Sequence, residues 1–189
     1  MQQEAQTGLR PFNKLLVANR SEIAIRVFRA ASELGIKTVA IYSHEDRFAL
    51  HRFKADESYM VGEGNEPVRA YLDVPAILQI AHEAGVDAIH PGYGFLSEDP
   101  DFARACADAG ITFIGPPPAI MEQFGSKMAA RHLAEQADIP VMPASAALPY
   151  DHDECRRITE AIGLPLMLKA SWGGGGRGMR VVDNIDKLP

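Results

Sequence analysis

Two rhythms of apolar residues alternate along this chain. Lys14-Leu15-Leu16-Val17-Ala18 is a short, almost unbroken apolar run, the pattern of a strand covered on both faces of a parallel sheet. After Asn19-Arg20 the spacing turns helical. Ile23, Val27, Ala31 and Leu34 fall on one face, while Glu22, Arg26, Arg29 and Glu33 fall on another with opposite charges four residues apart. Ser21 is placed to cap this helix and Gly35 to stop it. Thr38-Val39-Ala40-Ile41-Tyr42 is the next strand-like run, so a β-α-β unit with a right-handed crossover is predicted. The alternation goes on through a strand at Glu57–Val61, a helix from Val74 to Ala84, a strand at Val86–His90, a helix from Asp101 to Ala109 and a strand at Thr112–Ile114. Gly85 and Gly110 end the two helices. Strands and helices in alternation predict an α/β fold with a Rossmann-like open parallel sheet. Ligands of such sheets sit beyond the carboxyl ends of the strands, where Asn19 and the loop after His90 fall.

The rhythm changes near Gly125. The division predicted is a flexible N-terminus over 1–12, a first domain over 13–125 and the beginning of a second over 126–189. In the second, Ser126 caps a helix carrying Met128, Leu133 and Ala137, Ile139–Pro143 is extended, and Asp153 to Ile162 is a helix ended by Gly163. Pro165–Leu168 and Met179–Val182 then read as a hairpin joined by glycine. Asn184–Pro189 reads as the opening of another helix. So little chain follows the hairpin that the stretch is expected to be part of something longer.

The hairpin loop holds the densest candidate chemistry. Gly173, Gly174, Gly175, Gly176 and Gly178 leave backbone N–H groups free of Cβ atoms and able to wrap phosphate oxygens. Lys169, Arg177 and Arg180 add positive charge. No Gly-Lys-Ser/Thr ending and no following helix pattern are present, so this is a strand–loop–strand phosphate cover and not a P-loop. The alternative is a mobile surface hairpin. Lys169 ends an otherwise apolar strand and so needs a partner or a ligand. Lys127 opens a helix against the helix dipole, which suits a nearby phosphate or else an ordinary solvated lysine.

The second rich segment is His90-Pro91-Gly92-Tyr93-Gly94-Phe95-Leu96-Ser97-Glu98. Two glycines around Tyr93 predict a sharp turn that presents the phenol, either to a substrate or, as residue types alone favour, to hydrogen-bonded packing. Arg29 and Glu33 form a solvated pair or a subunit contact.

Composition narrows the classes. The 189 residues are 47% hydrophobic and carry a net charge of −6, so no basic field points to nucleic acid. No apolar stretch is long enough to span a membrane, and the polar Met1–Gly8 predicts no secretory signal. Cys106 and Cys155 are isolated thiols without metal-ligand spacing and predict a cytoplasmic setting.

Taken in order, Val17-Ala18-Asn19-Arg20-Ser21-Glu22-Ile23-Ala24, Ala55-Asp56-Glu57, His90–Glu98, Phe113-Ile114-Gly115-Pro116, Gly125-Ser126-Lys127 and Lys169–Arg180 resemble the biotin carboxylase domain of the ATP-grasp superfamily. Leu50–Tyr59, Lys127–Arg131 and Lys169–Trp172 are most similar to the pyruvate carboxylase branch. Ser21 and Trp172 depart from residues common in relatives, and neither removes a charged group. The resemblance implies a pre-ATP-grasp domain followed by the start of an ATP-grasp domain. It implies ATP- and bicarbonate-dependent carboxylation of biotin through carboxyphosphate, feeding carboxylation of pyruvate to oxaloacetate. It places ATP at Lys127, Lys169, Gly173, Gly174, Gly175, Gly176 and Gly178, and the biotin and bicarbonate side at Tyr93. Arg29 and Glu33 fall on a dimer face, implying a biotin carboxylase dimer within a tetramer. The biotin belongs to a separate carrier domain, and the ligands for Mg2+, the bicarbonate-binding arginine and the catalytic glutamate lie beyond this stretch, so no catalytic residue or metal site is assigned within it. An acetyl-CoA or propionyl-CoA carboxylase subunit, and a non-catalytic nucleotide-binding or dimerisation module, are the alternatives.

Overall fold

In the computed structural model, the structure describes residues 12–125, 127–170 and 178–188, with the side chain of Lys127 also outside the description. The predicted flexible stretch therefore lies outside it except for Phe12, as do Ser126 and Gly173 to Gly176. Two compact units divide the chain, Met1–Glu122 and Gln123–Pro189.

The first unit builds its sheet from β1 (Lys14–Val17), β2 (Lys37–Tyr42), β3 (Glu57–Met60), β4 (Ala88–His90) and β5 (Thr112–Phe113). All neighbours are parallel and the order is β3-β2-β1-β4-β5. The helices are α1 (Ser21–Glu33), α2 (Pro67–Ala70), α3 (Val74–Glu83), α4 (Pro100–Asp108) and α5 (Pro118–Gly125), the last ending beyond the unit boundary. Two 3-10 turns, Glu45–Phe48 and Leu50–Phe53, follow β2. The sequence rhythm misses these turns, α2 and α5, which are too short or too proline-marked to show a period.

Strand alternation sorts the apolar residues to the two sides. Leu16, Val39, Ile41 and Ile89 pack with Ile77, Tyr71 and Phe102 in the larger core. Val17 and Ala40 pack against Ala24 and Phe28 of α1, and Leu15 and Ala88 against Ala31. This corrects the predicted helix face. Ala24, Phe28 and Ala31 are the buried positions of α1, while Leu34 is 77% exposed because the helix has already ended and Gly35 turns the chain at φ 75°. Ser21 is also corrected. It is not the cap but the first helical residue, at φ 59°, with Arg20 at the cap position and no side-chain capping bond.

In the second unit, α6 (Lys127–Gln136) and α7 (His152–Ile162) precede the antiparallel pair β6 (Leu166–Lys169) and β7 (Met179–Val182). Asp151, two residues before the predicted helix, caps α7 by accepting from the Glu154 N–H at 2.8 Å. Among the described residues of this unit, Thr159 and Val182 alone are fully buried. The helix expected after Asn184 is a single 3-10 turn, Ile185–Lys187.

Gly62 and Gly35 share left-handed backbones, but a Cβ on Gly62 would meet the Ala70 Cα at 2.5 Å, whereas one on Gly35 meets open space. Gly35→Ala is expected to lower stability by about 1–2 kcal/mol from backbone strain alone. Gly62→Ala is expected to lower it measurably further in denaturant unfolding, since the Ala70 backbone cannot yield as a flexible side chain would.

Candidate functional site at the carboxyl edge of the sheet

Strand order reverses between β1 and β4, and both strands end at one crevice. Asn19 follows β1 and is 4% exposed. Its amide nitrogen donates to the carbonyls of Pro91 at 2.8 Å and Tyr93 at 2.9 Å, and its Oδ1 accepts from the Arg20 N–H at 2.9 Å. All three bonds join the end of β1 to its own next turn or to the loop after β4. Gly92 makes the approach possible, since a Cβ there would lie 2.7 Å from the Asn19 nitrogen. The Gly92 N–H donates to His90 Nδ1 at 2.9 Å, which folds the loop back on its strand.

An open cleft of about 300 Å³ lies over this junction, lined by Asn19 to Ile23 and Tyr93 to Phe95. Tyr93 is 60% exposed, and its hydroxyl donates to the Glu22 carboxylate, which holds the phenol above its usual pKa and therefore neutral. The sequence left Tyr93 between packing and substrate contact. The structure gives it a hydrogen bond and leaves its ring in the cleft.

Arg20 supplies the cleft's cation. Its guanidinium pairs with Asp46 Oδ2 at 3.0 Å and lies 5.6 Å from the Tyr71 ring centroid and 5.9 Å from that of Phe95. Tyr71 and Phe95 stack at 5.2 Å with 4° between their planes. The fully buried Tyr71 donates its hydroxyl to the same Asp46 oxygen at 2.7 Å and accepts from the Ser43 N–H at 3.2 Å. Burial works against the Asp46 carboxylate, but the Tyr71 hydroxyl and Arg20 outweigh it and hold its pKa below the usual range. Burial, then the Asp46 bond, drive the Tyr71 phenol far above its usual value. Sequence reasoning missed Asp46, Tyr71 and Phe95. No local spacing signals a contact between residues 25 or 26 positions apart.

His51, in the second 3-10 turn, is fully buried, with Nε2 on the Ile41 carbonyl at 3.1 Å. Burial lowers its pKa. The Ile41 carbonyl and Asp46 oppose that, and Arg20 adds to it.

The other sequence-predicted residues are described each within its own unit. Arg29 and Glu33 form an exposed i,i+4 ion pair at 3.1 Å. Lys127 opens α6. Lys169 ends β6 opposite Met179, is exposed, and makes no ion pair with any described residue. Gly178 closes the hairpin base at φ 71°, its carbonyl accepting from the Ala170 N–H at 3.0 Å. A Cβ on Gly178 would lie 2.8 Å from the Ala170 Cβ. Gly173, Gly174, Gly175 and Gly176 fall outside the described residues.

Comparison with known proteins places this architecture. Residues 11–121 match the family described as biotin carboxylase, N-terminal domain. The chain belongs to this family. Residues 126–189 match the ATP-binding domain of the carbamoyl-phosphate synthase L chain. The chain is 54% identical to pyruvate carboxylase of Staphylococcus aureus over 95% of its own length and 16% of that protein's. Its structure matches Rhizobium etli pyruvate carboxylase holding acetyl coenzyme A with TM-score 0.84 and 57% identity, over 95% of this chain and 16% of that one. It matches the biotin carboxylase domain dimer of Hydrogenobacter thermophilus 2-oxoglutarate carboxylase, in complex with MgADP, ADP and bicarbonate, with TM-score 0.86 and 48% identity, over 94% and 39% of the two chains. The chain is thus homologous to the biotin carboxylase portion of pyruvate carboxylase, a ligase family, and spans about 15% of the length of the first curated relatives it matches. No helix among the described residues is long and apolar enough to cross a membrane.

The buried His51 and the half-buried His90 are expected to give this biotin carboxylase segment an acid response. His51 and His90 both have pKa values lowered by burial from 6.5. The unfolded chain therefore binds more protons below that value, and folding stability rises with pH through the window between the folded values and 6.5. Thermal unfolding is expected to shift to lower temperature as pH falls from 7 toward 5.5, and His51→Asn is expected to flatten part of that slope. An unchanged slope in the variant would show that His51 is not a source of it.

Proposed function

We propose that this chain supplies the first part of a biotin carboxylase acting within pyruvate carboxylase, using ATP and bicarbonate to carboxylate biotin borne on a carrier domain. The observation that carries the reading is identity above half with pyruvate carboxylases across 89–95% of the chain. The 2-oxoglutarate carboxylase and the Campylobacter jejuni biotin carboxylase are less similar, at 48% and 40% identity. The acceptor, the product oxaloacetate and the cytoplasmic setting belong to this proposal.

The residues divide by role. Lys169 stands at a strand end, exposed and without an ion-pair partner among the described residues, so its charge is available to phosphate. The glycine run between Lys169 and the tight Gly178 closure would cover that phosphate with backbone N–H groups. Lys127 would add a second cation. Charge that develops on a transferred phosphoryl group is stabilised best by donors and cations already in place. Tyr93 would present a neutral phenol and a ring face toward the biotin and bicarbonate side, with Glu22 keeping it protonated. The Arg29 and Glu33 face would pack against a second copy, as in a dimer. Among the described residues no group of three or more His, Cys, Asp or Glu is placed to hold a metal, and no step is assigned through magnesium.

Lys169→Gln in the full-length carboxylase tests this assignment. Losing one charged contact to the phosphoryl group is expected to lower bicarbonate-dependent ATP cleavage by about 30- to 1000-fold, the scale of about 2–4 kcal/mol, with the unfolding transition unchanged. Turnover within threefold of the parent (roughly 0.6 kcal/mol) would remove Lys169 from the site.

A further inference from the structure

We propose that Asp46 is a positioning residue for the Tyr93 loop, acting from outside the cleft through Arg20 and Tyr71. The inference rests on the biotin carboxylase reading for its kinetic consequence, but not for its structural one.

The loop from Pro91 to Phe95 is anchored at each end by a different device. At its start, Asn19 holds the carbonyls of Pro91 and Tyr93. At its end, Phe95 sits at φ 43°, a left-handed backbone that a bulky residue adopts only when its surroundings impose it. What surrounds it is the flat stack on Tyr71 and the nearby Arg20 guanidinium. Neither is fixed by the loop itself. Tyr71 ends α2 and Arg20 precedes α1, and one oxygen of Asp46 ties both. The Arg20 bond is an ion pair with the side chains 37% and 20% exposed, so it is partly shielded, unlike the exposed pair Arg29–Glu33. Tyr93 lies two residues before Phe95, so freedom gained at Phe95 is passed to the ring in the cleft. Glu22, which holds the Tyr93 hydroxyl, stands two residues after Arg20 and moves with the same turn.

The carboxylate is needed for a specific reason. Asp46 Oδ2 accepts from two donors at once, an O–H and a guanidinium N–H. An asparagine keeps the volume but has no charge for Arg20. If its nitrogen takes that position, it sets donor against donor.

The test uses the full-length carboxylase with Asp46→Asn, with Tyr71→Phe as a second variant that keeps the ring stack and loses the hydroxyl. Asp56→Asn is the control for general destabilisation, because Asp56 accepts from the Thr38 N–H and hydroxyl, both at 2.8 Å, at the opposite end of β2. Amide exchange is read over residues 92–96, and KM is read separately for free biotin and for ATP. Asp46→Asn is expected to speed exchange of the loop by about tenfold or more, the scale of one lost charge-assisted hydrogen bond. It is expected to raise the biotin KM by about fivefold or more while the ATP KM stays within about twofold, because uniform binding is lost on one side alone. Tyr71→Phe should act in the same direction with smaller size. Asp56→Asn should lower the unfolding temperature and move neither readout. Loop exchange equal to wild type in both Asp46→Asn and Tyr71→Phe would overturn the proposal, and so would an equal effect in Asp56→Asn. Faster exchange with an unchanged biotin KM would overturn the kinetic half. Loss of biotin-dependent ATP cleavage in the unmodified enzyme would instead refute the biotin carboxylase reading, while the exchange arm would still decide the positioning role.

Discussion

One buried amide ties the carboxyl edge of the sheet together. A parallel sheet leaves its strand-end loops free of one another, because each is joined to a helix and not to its neighbour. Asn19 closes that gap between β1 and the loop after β4 with two donated bonds and one accepted bond, and at 4% exposure it has no water to replace them. The features of the cleft follow from that junction. Gly92 must be glycine because the amide occupies the space of its Cβ. Tyr93 projects outward because its carbonyl is held inward. Arg20 points to Asp46 and the Tyr71–Phe95 stack from the residue next to the amide, and its own N–H is taken by Asn19.

The fold was legible where a period was long enough to register. The fully buried runs at Leu15–Ala18, Val39–Ile41 and Ala88–Ile89 stood out because a strand covered on both faces has no polar alternation to blur it. The helix stops at Gly35, Gly85 and Gly110 were legible because all three take positive φ, which side chains resist. The capping of α1 was misread. Ser21 has the residue type of a cap, but the end of β1 is committed to Asn19, and the chain enters the helix one position earlier with no side-chain cap at all. Leu34 was misread because a period cannot say at which turn a helix ends.

The candidate site was half legible, by the same logic. Asn19 and the loop that carries Tyr93 stood out in the sequence because ligands of an open parallel sheet bind beyond the carboxyl ends of its strands. Asp46, Tyr71 and Phe95 were not found, because their contacts join three separate connections with no shared spacing. In the second unit the hairpin was legible from its flanking apolar runs. Among its described residues Met167, Met179 and Val181 are open to solvent. The glycine run drew attention by composition, and the role proposed for it rests on the biotin carboxylase relationship.

Asn19→Asp offers the most direct measurement of the central claim, since it changes one NH2 to an oxygen and little else. Read by denaturant unfolding against wild type at pH 8, it sets a carboxylate against the Pro91 and Tyr93 carbonyls and is predicted to lower stability by about 2–4 kcal/mol. The carboxyl pKa would then be raised in the fold above its unfolded value of about 3.9, so the deficit shrinks as pH falls through the raised value and the acid can donate again. A deficit below about 0.5 kcal/mol at pH 8, the size of an ordinary surface substitution, would contradict the claim that this amide holds the site together.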